Sequence, residues 1–322
     1  MKIGNLYNLD SYKRFIDSAK APGFMDAYAG TVLARNLTAV DPMIFEKKYP
    51  DLSFVSSGIV ADNTGGYVAR IQSLRKRQVG GFTTAGDPSG NKGKISLAGD
   101  DSFLKVVERE SHSEWTDTEV RQAELQGINL VSDYVTAHNE IYLREVDRIG
   151  YLGIPDVAGS TGLLNYAGFT SGAATGAIGT LTAQQMYDDI AGLITAQWNA
   201  VNNTAEYKAN RVDMPIYVLN TLTETILNTA GSSAAVLTAL KANFPGVEFR
   251  GTFRADDAGG AGVSHTVAYS NNEQGMKMRI PTALTVGEII KQSSFDYRVD
   301  SKYRIAGLDV LENSVGYILT GL

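Results

Sequence analysis

No cysteine occurs among the 322 residues. That excludes disulfides, thiolate metal sites and a cysteine nucleophile. There are three histidines, His112, His138 and His265, and none stands at a metal-ligand spacing such as H-E-x-x-H. No apolar run approaches the ~18 residues needed to span a bilayer, so a membrane is not expected as a partner. The start, MKIGNLYNLDSYKRF, lacks an apolar h-region and does not read as a secretory signal. Synthesis and folding in the cytoplasm are therefore expected. Basic residues are not in excess: the net charge is −6, against a nucleic-acid-binding surface. Residues 157–187 carry no formal charge and read as a glycine-bearing connector.

Catalytic spacings are also missing. GDPSGNKGK (86–94) departs from the phosphate loop G-x-x-x-x-G-K-[ST]: Pro88 stands where the first Gly belongs, and Ile95 follows Lys94. Gly262-Val263-Ser264-His265-Thr266 lacks the last glycine of a nucleophile elbow. Ser264 and His265 are neighbours, so on a strand they point to opposite faces. Asp188-Asp189 and Asp256-Asp257 cannot face one another as acid and base. No catalytic, cofactor or metal residue is predicted, and the chain is expected not to be an enzyme.

What is present is architecture. Residues 1–45 are polar and interrupted by Pro22 and Pro42. They have too few apolar residues to offset an ordering cost of about 1–2 kcal/mol per residue and are expected to serve as an arm in assembly. YVARIQSLRKRQ (67–78) and SFLKVVERES (102–111) read as two strands around a Gly/Ser/Asp-rich excursion. A two-stranded ribbon is marginal alone in water. Its basic residues Arg70, Arg75, Lys76 and Arg77, with Lys92 and Lys94 near the tip, are candidates for contacts with an acidic neighbour.

Residues 117–150 predict one uninterrupted spine helix. Thr116-Asp117-Thr118-Glu119 fits a capping box, and Gly150 is the expected stop. The helix would span roughly 51 Å. Its predicted buried set is Trp115, Ile128, Val131, Tyr134, Ile141 and Ile149. Glu124, Asp133, Glu140 and Glu145 lie on the opposite face, and Glu124 and Glu140 are contact candidates. Residues 182–201 predict an amphipathic helix, MPIYVLN (214–220) a buried strand, TLTETILNTA and SAAVLTALKANF two helices, and VEFRGTF and HTVAYS strands. The last segments, MKMRIPTALTV (276–286) and FDYRVDSKYRIAGLDVLENSVGYIL (295–319), are strand-rich and expected to return onto the spine.

That order of arm, hairpin, spine helix, connector, α/β lobe and strand return resembles the major capsid proteins of tailed bacteriophages, the Hong Kong 97-like shell fold, an α+β class. The most specific part is Trp115 before the helix and Gly162-Leu163-Leu164-Asn165 after it. The resemblance implies an N-terminal arm at 1–45 and an extended loop at 66–113. It puts peripheral segments at 46–65, 114–180 and 286–322 and an axial domain at 181–285. It implies self-assembly into pentamers and hexamers that enclose double-stranded DNA without reading its sequence. Portal, scaffolding and cement or decoration proteins are the further partners it implies. With only a short arm, assembly is expected to use a separate scaffold or none. Alternative readings are a bacterial nanocompartment shell of the same fold, or a soluble α/β hydrolase or binding domain.

Overall fold

The chain divides into two units, Met1–Tyr49 and Pro50–Leu322. The computed structural model describes residues 51–83, 93–125, 127–229, 232–260 and 262–322. The arm and most of the hairpin tip, including Lys92, lie outside the described residues.

Along the second unit the chain makes β1 (Ala61–Asp62), β2 (Arg70–Gly80), β3 (Ile95–Lys105) and β4 (Val107–Thr116). Two helices follow, α1 (Asp117–Leu125) and α2 (Leu130–Leu152). After β5 (Thr170–Ala173) come α3 (Ala183–Ala200), β6 (Arg211–Pro215), α4 (Ile216–Glu224), β7 (Ile226–Thr229), β8 (Ser232–Ala235) and α5 (Val236–Asn243). The rest is β9 (Glu248–Thr252), β10 (His265–Tyr269), β11 (Met276–Arg279), β12 (Thr282–Val286), β13 (Ile290–Lys291), β14 (Asp296–Ile305), β15 (Gly307–Val310) and β16 (Gly316–Thr320). No helix among the described residues is long and apolar enough to cross a membrane.

A five-stranded sheet, β5-β16-β10-β6-β9, stands between two apolar cores. Alternate residues of a strand point to opposite faces. Val267, Tyr269 and Ile318 therefore enter one core with the end of α2, while Val212, Met214, Ala268 and Leu319 enter the other with α3, α4 and α5. Thr182 starts α3 with the reciprocal bonds of a capping box. Met186, Ile190, Leu193 and Ile194 recur at helical spacing and are all buried. The sequence MPIYVLN is divided: Pro215 ends β6 and caps α4. Proline has no N–H to continue a ladder but its fixed φ suits a helix start. The predicted helix at 221–230 is likewise split, because Thr225 ends α4 and β7 pairs with β8.

The spine is two helices, not one. Glu119 and Thr116 exchange the predicted capping bonds at 2.9 and 3.2 Å. α1 then ends after nine residues. Gly127 takes φ +75°. Its N–H donates to Glu124 O, and that of Ile128 donates to Ala123 O, the paired bonds of a Schellman stop. Asn129 starts α2 by accepting from Ser132 N at 3.2 Å. Gly150 is inside α2 rather than at its end. It is glycine because the Phe54 ring lies where a Cβ would stand. The left-handed residue is Gly153, φ +85°.

The Gly162–Asn165 turn finishes the helix. Leu163 N and Leu164 N donate to Gly150 O and Tyr151 O at 2.9 and 3.0 Å. Asn165 Nδ2 donates to Leu152 O at 3.0 Å. Three carbonyls that a helix end leaves open are thereby satisfied.

The predicted 102–111 strand is also divided. Val106 is buried and its N–H bonds Ala69 O, closing the hairpin of β2 and β3. β4 then leaves it and pairs along the whole of β14. The chain's last strand, β16, belongs to the five-stranded sheet between β5 and β10, not with the return strands at 286–310.

Candidate assembly surfaces

In the β2–β3 ribbon Ile71 stands opposite Leu104 and Arg75 opposite Asp100. One face turns to the body. Ser73 is buried there and donates to Asp309 Oδ2 at 2.5 Å. Arg75 Nη2 donates to Val310 O at 3.0 Å. Asp309 also receives Arg279 Nε at 3.0 Å, and Arg279 reaches on to Asp62. The hydroxyl and amide of Thr64, with Arg279 and Lys277, hold the Asp62 carboxyl below its usual range. The ribbon root is thus pinned to β1, β11 and β15 by a chain of charge-assisted bonds.

The other face has no cover among the described residues. Leu74, Ile95, Leu97 and Phe103 share it by register and are 66%, 59%, 74% and 59% exposed. Phe82, beyond the end of β2, is 93% exposed. Burying side chains of this size is worth about 1.5–3 kcal/mol each, so the ribbon carries a large uncovered apolar surface.

The basic residues fare differently from one another. Arg75 is half-buried, and its guanidinium is engaged inside its own subunit. Arg70, Lys76, Arg77 and Lys94 are exposed. Lys76 and Arg77 line an open groove of about 430 Å³ with Asp100, Tyr207, Glu312 and Asn313. Of the acidic candidates, Glu140 is taken by Arg144 at 2.9 Å and Glu145 by Arg109 at 3.5 Å. Glu124 and Asp133 are exposed and make no ion pair among the described residues.

Along the spine, Trp115 is buried and stacks on Tyr134 with centroids 5.3 Å apart. Ile149 is fully buried. Ile128, Val131 and Tyr134 are half-buried. Ile141, expected in the core, is exposed, as is Val135. In α2 the buried positions are His138 in mid-helix and Val146, Asp147, Ile149, Gly150 and Tyr151 in the last turns. Leu125, Ile290 and Phe295 form further exposed apolar positions, with Phe295 O accepting from Asp117 N at 2.8 Å.

Several polar residues lie inside the body. His138 is buried and bridges Ser113 Oγ at 2.9 Å and Ser301 Oγ at 2.8 Å, tying α2 to both β4 and β14. Asp147 is fully buried, held by Arg254 at 3.0 Å. Asp213 is fully buried beside Tyr151 and Tyr269, and burial pushes its carboxyl above the usual range. For Asp213 the available signal is its place between two apolar residues, Val212-Asp213-Met214, which demands a buried partner. Ser264 Oγ donates to Leu322 O at 2.7 Å, while His265 Nδ1 lies 2.6 Å from Leu164 O. The two go separate ways, so they form no nucleophile–base pair.

A family model of major capsid proteins matches residues 93–318. The capsid of Myoviridae phage XM1 is similar at 43% identity, TM-score 0.81, covering 90% of this chain and 98% of that one. The capsid of a native GTA particle matches at 15% identity and TM-score 0.67, covering 90% and 98%. Mycobacterium phage Che8 matches at 15% and 0.60, covering 88% and 96%. The last two share the fold. A comparison with curated proteins finds no match.

Proposed function

The chain belongs to the major capsid protein family, and from that premise we propose how it builds its shell. It is a shell-forming subunit of a tailed bacteriophage with the Hong Kong 97-like fold, and its place is the virion capsid. Subunits ring into pentamers and hexamers by heterologous contacts, which close only when the same two surfaces meet around each axis. The closed icosahedral shell holds the double-stranded DNA genome, after assembly in the host cytoplasm. A net charge of −6 suits a wall that encloses DNA without gripping it. Portal, scaffolding and cement or decoration proteins are further partners that this reading allows.

The observation that carries this reading is the bare face of the β2–β3 ribbon. Leu74, Ile95, Leu97 and Phe103 stand together on it in solvent. An exposed apolar face of this kind marks an interaction surface, and a repeating shell supplies the same partner to every ribbon. Exposed Lys76 and Arg77 on the ribbon and Glu124 and Asp133 on the spine support a neighbour contact steered by charge. Each such pair is worth only about 0–1 kcal/mol, but repetition over a closed shell multiplies it. The two cores support a division of labour: residues 181–252 with the strands at 265–269 and 316–320 as the axial lobe, and the helix–sheet half, which takes in residues 276–286, as the peripheral one.

Electron microscopy of purified protein tests this. Wild-type subunits are expected to form closed shells. A variant whose ribbon is cut back to a short turn at Arg75–Asp100 is expected to stay folded and fail to close. Closed shells from that variant would remove the ribbon from the assembly.

A further inference from the structure

Residues 51–57 form neither helix nor strand, yet Phe54 and Ser57 are buried. The Phe54 ring packs edge-on to Tyr151, centroids 5.3 Å apart, and occupies the space that Gly150 leaves open. Its N–H donates to Asp147 Oδ1 at 2.9 Å. Ser53 Oγ donates to Thr252 Oγ1 at 2.7 Å. Arg250 Nη2 donates to the Ser53 carbonyl and, at 2.7 Å, to Ser56 Oγ. Arg211 Nη1 donates to Ser56 O at 2.8 Å. One aromatic plug and a handful of polar ties fix this part of the chain.

The two carboxylates beneath the plug have partners besides it. Asp147 also holds Arg254, Nε at 3.0 Å. Asp213 Oδ2 accepts from Tyr151 at 2.7 Å and Tyr269 at 3.1 Å. Asp213 Oδ1 and Arg250 Nη1 are among the buried atoms that have no hydrogen-bond partner among the described residues. They belong to facing groups. Arg250 Nε stands 3.9 Å from Asp213 Oδ1, beyond hydrogen-bonding distance. The guanidinium is drawn away from its carboxylate by the backbone of the plug.

We propose that residues 53–56 are a reversible plug and that Arg250 is its toggle. Seated, the plug takes Arg250 through Ser53 O and Ser56 Oγ. Withdrawn, it releases Arg250 to close on Asp213 Oδ1, which satisfies both orphaned atoms. Asp147 keeps Arg254 in either state. No buried charge is stranded, which is the condition for a segment to leave without unfolding its socket. Release would free the chain N-terminal to the plug from this anchor while both cores stay intact.

Hydrogen exchange read by mass spectrometry on unassembled full-length subunits tests the plug whether or not shells form. Gly150→Ala puts a methyl where the Phe54 ring lies. It is expected to speed exchange at 51–58 by about tenfold, as overpacking does, with β6, β10 and β16 unchanged. In a Phe54→Ala background, Gly150→Ala should have no further effect. Asp213→Asn removes the competing carboxylate and should slow exchange at 51–58. Arg250→Lys, which cannot span Ser53 and Ser56 together, should speed it locally and serves if Asp213→Asn does not fold. Exchange at 51–58 that is unchanged or faster in Asp213→Asn, or acceleration spread evenly over the sheet in Gly150→Ala or Arg250→Lys, would overturn the toggle.

Discussion

The five-stranded sheet and the β2–β3 ribbon use the same alternation of side chains to opposite ends. In the sheet both faces are covered, so Val212, Met214, Val267 and Tyr269 are all buried. In the ribbon one face is pinned at its root and the other lies bare. Strand pattern alone does not say whether an apolar face meets its own chain or another. The difference lies in the flanking sequence. Helices with apolar stripes come between the strands of the sheet; the ribbon is flanked by turns that have nothing to lay over it.

The comparison breaks first, if it breaks, in the lobe. Ile190→Ala in α3 empties a fully buried site and should cost about 2–5 kcal/mol, read by urea unfolding of unassembled subunits. A loss below about 1 kcal/mol would mean the lobe is not the packed half.

The ribbon root comes next. Asp62 has its folded pKa below the usual 3.8. In the window between the two values the unfolded chain binds more protons, so stability rises with pH there. The contribution is complete above 3.8 and lost as pH falls through the folded value. Asp62→Asn should flatten that acid limb of the stability curve; an unchanged limb would show that Thr64 and Arg279 do not hold the charge.

The ribbon face should cost the subunit least. Leu74, Leu97 and Phe103 changed together to Ser should shift unfolding by no more than about 0.5 kcal/mol per site, as surface positions do, while shell yield on a gradient collapses. A destabilised subunit would instead place that face inside its own fold. Last, Lys76→Glu with Arg77→Glu should leave melting unchanged and slow assembly, with wild-type assembly weakened by moderate salt. Arg75 must be left alone in that test because its guanidinium holds Val310 O.

Much of the fold is legible in sequence where a local rule has one answer. Thr116 and Glu119 have to cap a helix, and Met186, Ile190 and Ile194 have to face a core. The break at Gly127 is hidden because apolar residues continue at helical spacing across it, and one glycine costs a helix only about 1 kcal/mol. Its signature is the pair Gly127 and Asn129, a stop and then a cap. Gly150 misleads for the opposite reason: a glycine that serves a distant ring looks, in sequence, like a glycine that ends a helix. Phe54 is 96 residues away from it, and no local pattern carries that contact. The ribbon's basic run is legible as a cluster, but not that Arg75 is held by Val310 O while Arg77, on the same face by register, stays exposed.

The position of β16 has a consequence in time. It lies between β5 and β10, yet it is made after every other strand of its sheet. A ribosome delivers β5, β6, β9 and β10 first, with a vacancy where residues 316–320 will go. Until then β5 has no neighbour in the sheet, and the lobe waits with a strand-wide gap along β10. Pairing of this kind joins residues far apart in sequence and is slow. A nascent subunit therefore keeps an open sheet edge along β10 until residues 316–320 have emerged, and an unpaired edge of that kind is open to wrong pairing.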